Sequence, residues 1–262
     1  MAKEHSKNDW DPETYHRFRG LRLRPSLDLL GRIPELPSGP IVDLGCGSGM
    51  VGGLLNRRFP GRDLVGVDSS VSMLEEAEQT SEYCTLVQAD LSQWVPDQSP
   101  ALLFSNAVFH WLPNHIQLFR SLIEHLPRDG VLAVQMPRQQ LAPSHALMRD
   151  IAGEMFPDRF DFANWTPAVA EPTHYVNELQ DLGALDLWET EYMQSLGASE
   201  KYHPVCQFTS STAMRPFSDK LNSDELQHFL LRYNTALQTF YPLLADGSVV
   251  FPFRRLFFVI QK

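Results

Sequence analysis

Cysteine is scarce in this chain of 262 residues: Cys46, Cys84 and Cys206 are three, widely separated and odd in number. That excludes a disulfide framework and a cysteine-rich metal site, and it points to a reducing, cytoplasmic setting. Long hydrophobic runs are missing as well. No stretch approaches the roughly 20 apolar residues of a membrane span, and the opening MAKEHSKNDW has no apolar signal core. Positive charge is in deficit, with 22 Lys plus Arg against 32 Asp plus Glu and a formal net charge of −10. Such a chain repels phosphate backbones and anionic lipid, so nucleic acid and membrane are excluded as general partners. Repeats, low-complexity tracts and flexible linkers are also absent, which favours one domain over two independent ones.

What remains is an ordinary globular composition, 43% hydrophobic and 21% charged. Short apolar runs bounded by turn residues recur at 40–44 (PIVDL), 63–67 (DLVGV), 84–88 (CTLVQ), 101–106 (ALLFSN) and 130–135 (GVLAVQ). Segments of helical length lie between them, such as 69–79 and 115–126. Strand and helix alternating five times predict an α/β fold, a mostly parallel sheet with helices on both faces. From about 137 to 182 the chain reads as helical and proline-punctuated, and 184–193 alternates like a strand. It is helical again from about 198, most clearly over 223–241, where Ser223 is a plausible capped start, and 256–261 closes the chain as a strand. The expectation is a single domain over 1–262. Its core comprises about 26–136, 184–193 and 256–262, and helical cap insertions comprise about 1–25, 137–182 and 198–250.

The sharpest local signal is Ile41-Val42-Asp43-Leu44-Gly45-Cys46-Gly47-Ser48-Gly49, at the end of the first strand. Glycines at alternate positions allow a tight turn and a close backbone approach to a ligand. Residues 47–52 also satisfy the dinucleotide pattern G-x-G-x-x-G. Asp43 argues against a pyrophosphate there, because its carboxylate would repel one and attract a cationic amine. Asp68 ends the second strand, 21 residues after Gly47, where an acid accepts ribose hydroxyls. Asp90 ends the third and is placed to meet an adenine edge. Either acid alone reads equally well as a helix cap, Asp68 before SSVSMLEE above all. Three acids closing three successive strands describe a ligand with a ribose, a base and a cation but no phosphates.

This set resembles the nucleotide-binding half of S-adenosylmethionine-dependent methyltransferases. The resemblance implies a Rossmann-like seven-stranded sheet and S-adenosyl-L-methionine as cofactor, leaving as S-adenosyl-L-homocysteine. It implies that Asp43, Gly45, Gly47 and Gly49 hold the methionyl part and that Asp68 binds the ribose. Met73 would line the adenine, Asp90 with Leu91 would contact the base, and Ser69 and Asn106 would complete the site. At the end of strand four Ser105-Asn106-Ala107 stands in place of an acid.

The acceptor is read from the rest of the chain. Methyl transfer needs alignment and exclusion of water, and a base only where the nucleophile carries a proton. Phe109-His110-Trp111-Leu112-Pro113-Asn114-His115 is an aromatic, histidine-bearing loop after strand four. Trp111 and His115 are its candidate catalytic residues, with packing of the next helix as the plainer reading. His110 and His115, five apart, make a poor metal pair, and no metal is expected. Arginines flanked by apolar residues stand at Arg22, Arg24, Arg215, Arg254 and Arg255. Guanidinium groups bind carboxylates in bidentate fashion, so these arginines suit a polycarboxylic acid, with Tyr15 and Tyr233 shaping the pocket.

From WDPETYHRF and RLRP near the start, through NAVFHWLPNH, GVLAVQMP, SHALMRD and AMRPF, to FLLRY, FYP and FPFRRLFFV at the end, the chain resembles the trans-aconitate 2-methyltransferases. Segments 153–171 and 198–212 depart from that pattern, as does Asn114. The resemblance implies a carboxyl O-methyltransferase making a methyl ester of a small polycarboxylate, acting as a monomer or weak homodimer. Alternatives are methylation of a malonyl thioester on a carrier protein, and a non-catalytic S-adenosylmethionine-binding module.

Overall fold

The computed structural model describes residues 19–210 and 212–262, and the side chains of these except at 19, 21 and 22. The sequence readings of Tyr15 and of the Arg22 side chain fall outside that description. The chain divides into two compact units. Among the described residues, one comprises 19–137, 169–190 and 255–262, and the other 138–168, 191–210 and 212–254.

The first unit holds α1 (Arg19–Leu30), β1 (Ile41–Leu44), α2 (Gly52–Arg58), β2 (Leu64–Asp68), α3 (Val71–Gln79), β3 (Thr85–Gln88) and β4 (Leu102–Asn106). After a single 3-10 turn at Phe109–Trp111 come α4 (His115–Glu124), β5 (Val131–Pro137) and α6 (Pro172–Leu179). With β6 (Ala184–Leu196) and β7 (Val249–Gln261), the sheet has seven strands in the order β3-β2-β1-β4-β5-β7-β6. The pairs from β3 to β5 are parallel, whereas β7 (Val249–Gln261) runs antiparallel to β5, with Pro137 opposite Arg255. The strands predicted at 184–193 and 256–261 are both longer, Ala184–Leu196 (β6) and Val249–Gln261, and each passes from one unit into the other.

Period-two side chains place the core. Leu132, Val134 and Met136 on β5 and Leu256, Phe258 and Ile260 on β7 line one sheet face, together with Val42, Leu44 and Leu103. Phe119, Leu122 and Ile123 of α4 and Tyr175 and Leu179 of α6 cover that face. Helix α6 was expected in the cap; burial of Tyr175 and Leu179 in this core assigns it to the first unit. On the opposite face α1 lies against β5 and α2 against β2. Parallel strands covered on both faces leave their carboxyl ends as the ligand-binding edge.

The second unit holds α5 (Pro143–Met155), α7 (Pro204–Ser210), the short α8 (Arg215–Ser218) and α9 (Ser223–Phe240). Helix α9 is capped one residue earlier than predicted: Asn222, not Ser223, is the N-cap, in a capping box with Glu225, and Ser223 is the first helical residue. Glu225 also takes a two-pronged pair from Arg159 at 2.6 and 2.8 Å. Phe229, Tyr233 and Leu237 line the buried face of α9, and Phe217 stacks on Phe229. Among the described residues no helix is long and apolar enough to cross a membrane.

Candidate active site

The glycine turn leaves β1 with Gly45, Gly47 and Gly49 all at positive φ, +72°, +53° and +78°. Two of these positions also lack room. A Cβ on Gly45 would collide with the Val108 side chain, and one on Gly49 would come within 3.1 Å of the Ala77 backbone. At Gly47 a Cβ would meet open space, so this glycine serves the left-handed backbone alone. The amides of Gly45 and Cys46 both donate to Val67 O, at 2.7 and 3.0 Å, which pins the turn to β2.

Asp68 closes β2 and organises the site through both carboxylate oxygens. Gly47 N donates to Oδ2 at 2.8 Å and Ser70 N to Oδ1 at 2.9 Å. It therefore ties the glycine turn to the start of α3 while each oxygen keeps a lone pair for a ligand. It does not cap α3; Ser70 does, accepting from Met73 N. Asp90 lies two residues beyond β3, exposed, and holds its own turn by accepting from Ser92 N at 2.9 Å. Ser69 is exposed, Met73 and Leu91 are buried, and Asn106 closes β4 with its Oδ1 buried and lacking a hydrogen-bond donor.

Asp43 is buried, 2% exposed, and the Tyr83 hydroxyl donates to its Oδ2 at 2.7 Å. Burial pushes its carboxyl up to about 7, the Tyr83 hydrogen bond opposes the rise, and the negative charge of Asp68 adds to it. A cation beside this carboxyl would favour its charged form. The structure thus gathers the three acids, the three glycines and the orphaned Asn106 oxygen at the carboxyl ends of β1 to β4. Acceptors dominate this donor set. It fits a ligand carrying an ammonium group and sugar hydroxyls, as the sequence reading requires of S-adenosylmethionine. Tyr83 is the member that sequence reasoning missed; it lies 40 residues from Asp43 and in no motif.

The acceptor candidates divide. Trp111 is 42% exposed on the 3-10 turn, its ring 4.7 Å from that of His110. His115, expected beside it as a catalytic residue, is instead internal. Its Nε2 bonds the Tyr175 hydroxyl at 2.8 Å, its Nδ1 lies 3.3 Å from Leu112 O, and its ring stacks on Tyr175. Burial lowers its pKa, so the ring is a neutral packing element. The physical reason is that Asn114, in the left-handed conformation, starts α4 with His115 on the helix's buried stripe. Tyr233 is corrected likewise: fully buried on α9, it donates to Ser144 O at 2.8 Å and sits 3.3 Å from Thr209 Oγ1.

The arginines lie in both units. In the first, Arg24 is exposed on α1, and Arg255 is buried, donating to Gln135 Oε1 at 3.1 Å. In the second, Arg215 is half-buried at the head of α8, and Arg254 pairs with Glu191 at 3.4 Å near the surface.

A family model described as a methyltransferase domain matches residues 15–215. Curated relatives include the trans-aconitate 2-methyltransferase of Escherichia coli, 37% identical over 257 residues, 97% of this chain and 99% of that protein. That of Afipia carboxidovorans is 38% identical over the same shares. Among solved structures, the YcgJ protein of Bacillus subtilis superposes with a TM-score of 0.55 at 14% identity, covering 94% of this chain and 98% of that one. The phosphoethanolamine N-methyltransferase 2 of Haemonchus contortus, in complex with S-adenosyl-L-methionine, gives 0.52 at 16% identity, covering 90% and 52%. At those identities the two structures speak for the fold alone.

Proposed function

The chain belongs to the methyltransferase-domain family, and from that premise we propose that it is an S-adenosylmethionine-dependent carboxyl O-methyltransferase that esterifies trans-aconitate. The observation that carries this reading is the 37–38% identity to trans-aconitate 2-methyltransferases along 97% of the chain, both units included. Identity confined to the glycine turn would have supported only the cofactor.

When bound, S-adenosylmethionine supplies an electrophilic methyl on a sulfonium. The turn from Gly45 to Gly49 receives its methionyl part, Asp43 its ammonium, and Asp68 its ribose hydroxyls. Met73, Asp90 and Leu91 meet the adenine, and Ser69 and the Asn106 oxygen complete the polar rim. A carboxylate acceptor is ionised at neutral pH, with a reference pKa near 4, so no general base is required. That suits a site whose histidine candidate, His115, is held neutral in the core.

Arg24, Arg215 and Arg254 are assigned to the acceptor's carboxylates. An arginine tight on the reacting oxygen would quench its nucleophilicity, so these side chains grip the carboxylates that are not methylated. The surface pair of Arg254 with Glu191 is weak enough for a carboxylate to displace. Arg255 is assigned to holding β7 against β5 through Gln135, and Trp111 to the acceptor's apolar face.

The test is incubation with methyl-labelled S-adenosylmethionine and a panel of acids including trans-aconitate, cis-aconitate, citrate, isocitrate and a malonyl carrier protein. Label in a base-labile ester of trans-aconitate is the expected result. Label on another acid alone would replace the acceptor, and bound cofactor with no transfer to any acid would overturn the enzyme reading.

A further inference from the structure

The side chain of Tyr83, between α3 and β3, runs into the cofactor turn through a gap that three glycines leave open. A Cβ on Gly52, at the head of α2, would come 2.8 Å from ring atom Cε2. One on Gly66, in β2, would come 2.9 Å from Cδ1, and one on Gly49, in the turn, 3.1 Å from Cε2. Gly66 is the register partner of Asp43 across β1 and β2, so the ring crosses the empty position beside that carboxylate. Walls on three sides leave the ring one place to lie, and its hydroxyl there is 2.7 Å from Asp43 Oδ2.

We propose that Tyr83 is a positioning residue for cofactor binding: its hydroxyl takes Oδ2 of Asp43 and leaves Oδ1 to receive the cofactor's ammonium group. The proposal rests on the S-adenosylmethionine reading above. A phenol in this place does two things. It fixes the carboxylate's rotation, so that one oxygen is presented without an ordering cost at binding. It also favours the charged form of Asp43, against burial and against Asp68 on the neighbouring strand. The other titratable group facing Asp43 among the described residues is Cys46 in the turn, whose thiol burial keeps protonated. Gly52 and Gly66 acquire a purpose that the glycine motif does not give them: they make room for the ring.

The experiment measures S-adenosylhomocysteine affinity by calorimetry on the cofactor-free full chain, from about pH 6 to about pH 9. Wild type, Tyr83→Phe and Gly52→Ala are compared. Phenylalanine fills the same gap, so the fold is kept while the hydroxyl is lost. The expected result is a loss of affinity about tenfold greater near pH 6 than near pH 9, as one pKa unit on Asp43 demands. Gly52→Ala, which displaces the ring, should reproduce the shift and stands in should Tyr83→Phe fail to fold. In cofactor-free protein labelled with carboxyl-¹³C aspartate, the Asp43 resonance should titrate at higher pH in Tyr83→Phe. Equal loss of affinity at every pH, with the resonance unmoved, would overturn the positioning role. Absence of binding by the wild type at every pH would instead overturn the cofactor reading on which it rests.

Discussion

Replacing Asp43 by asparagine should stabilise this protein in alkaline solution while weakening its site. The carboxylate is buried on β1, and burial with the charge of Asp68 pushes its pKa from 3.8 up to about 7. Between those values the folded protein keeps a proton that the unfolded chain has released. The folded state binds more protons there, so unfolding free energy falls as pH rises from about 4 to 7. A shift of about three units at 1.36 kcal/mol each sets an upper bound of about 4 kcal/mol on the loss. Asparagine keeps the shape and an oxygen for the Tyr83 hydroxyl, and removes the charge. Urea unfolding without cofactor should show wild type losing roughly 2–3 kcal/mol between about pH 5 and pH 8, a loss that Asp43→Asn escapes. Parallel pH–stability curves for the two proteins would refute the reasoning. So would an Asp43→Asn protein less stable than wild type at about pH 8. The asparagine variant should bind S-adenosylhomocysteine more weakly throughout, because the ammonium has lost its counter-charge.

Gly45→Ala should lose about 1–2 kcal/mol to its positive φ alone and more to the collision with Val108. Pairing it with Val108→Ala should recover only the collision part, as read by thermal unfolding. Arg215→Ala should raise KM for the acid about tenfold or more, in line with a lost charge-assisted bond of about 1.5–3 kcal/mol, with cofactor affinity nearly unchanged. Equal acceptor kinetics would remove Arg215 from the site. Asp68→Ala should do the reverse and weaken cofactor binding first, since it also frees the Gly47 and Ser70 amides. His115→Ala should cost about 1–3 kcal/mol of stability by removing the hydrogen bond between its ring and the buried Tyr175 hydroxyl, with the acid's KM close to wild type.

Much of the cofactor half was legible in the sequence because it is written locally. Glycines at 45, 47 and 49 are where the backbone takes positive φ, and five short apolar runs became β1 to β5 within a residue or two at most boundaries. Asp68 stood out by its place at a strand end, though its cap-like surroundings hid that Ser70 is the cap. The helical readings failed at the level of faces. HIQLFRSLIEHL announces a helix, but whether His115 at its head faces in or out depends on where Tyr175 of α6 arrives, 60 residues later. Tyr233 was misplaced for the same reason, since its partners Ser144 and Thr209 lie on other helices of its unit.

Local residue order carries the alternation of strand and helix, the glycine turn and the three acids at or just beyond the ends of successive strands. Backbone conformation and side-chain period are set by neighbours within a few residues. Packing in three dimensions brings β7 antiparallel beside β5, places α6 in the sheet-bearing unit and carries Tyr83 to Asp43. Those are meetings of residues tens of positions apart. They are selected by the packing of whole elements, which no local pattern of residue types records.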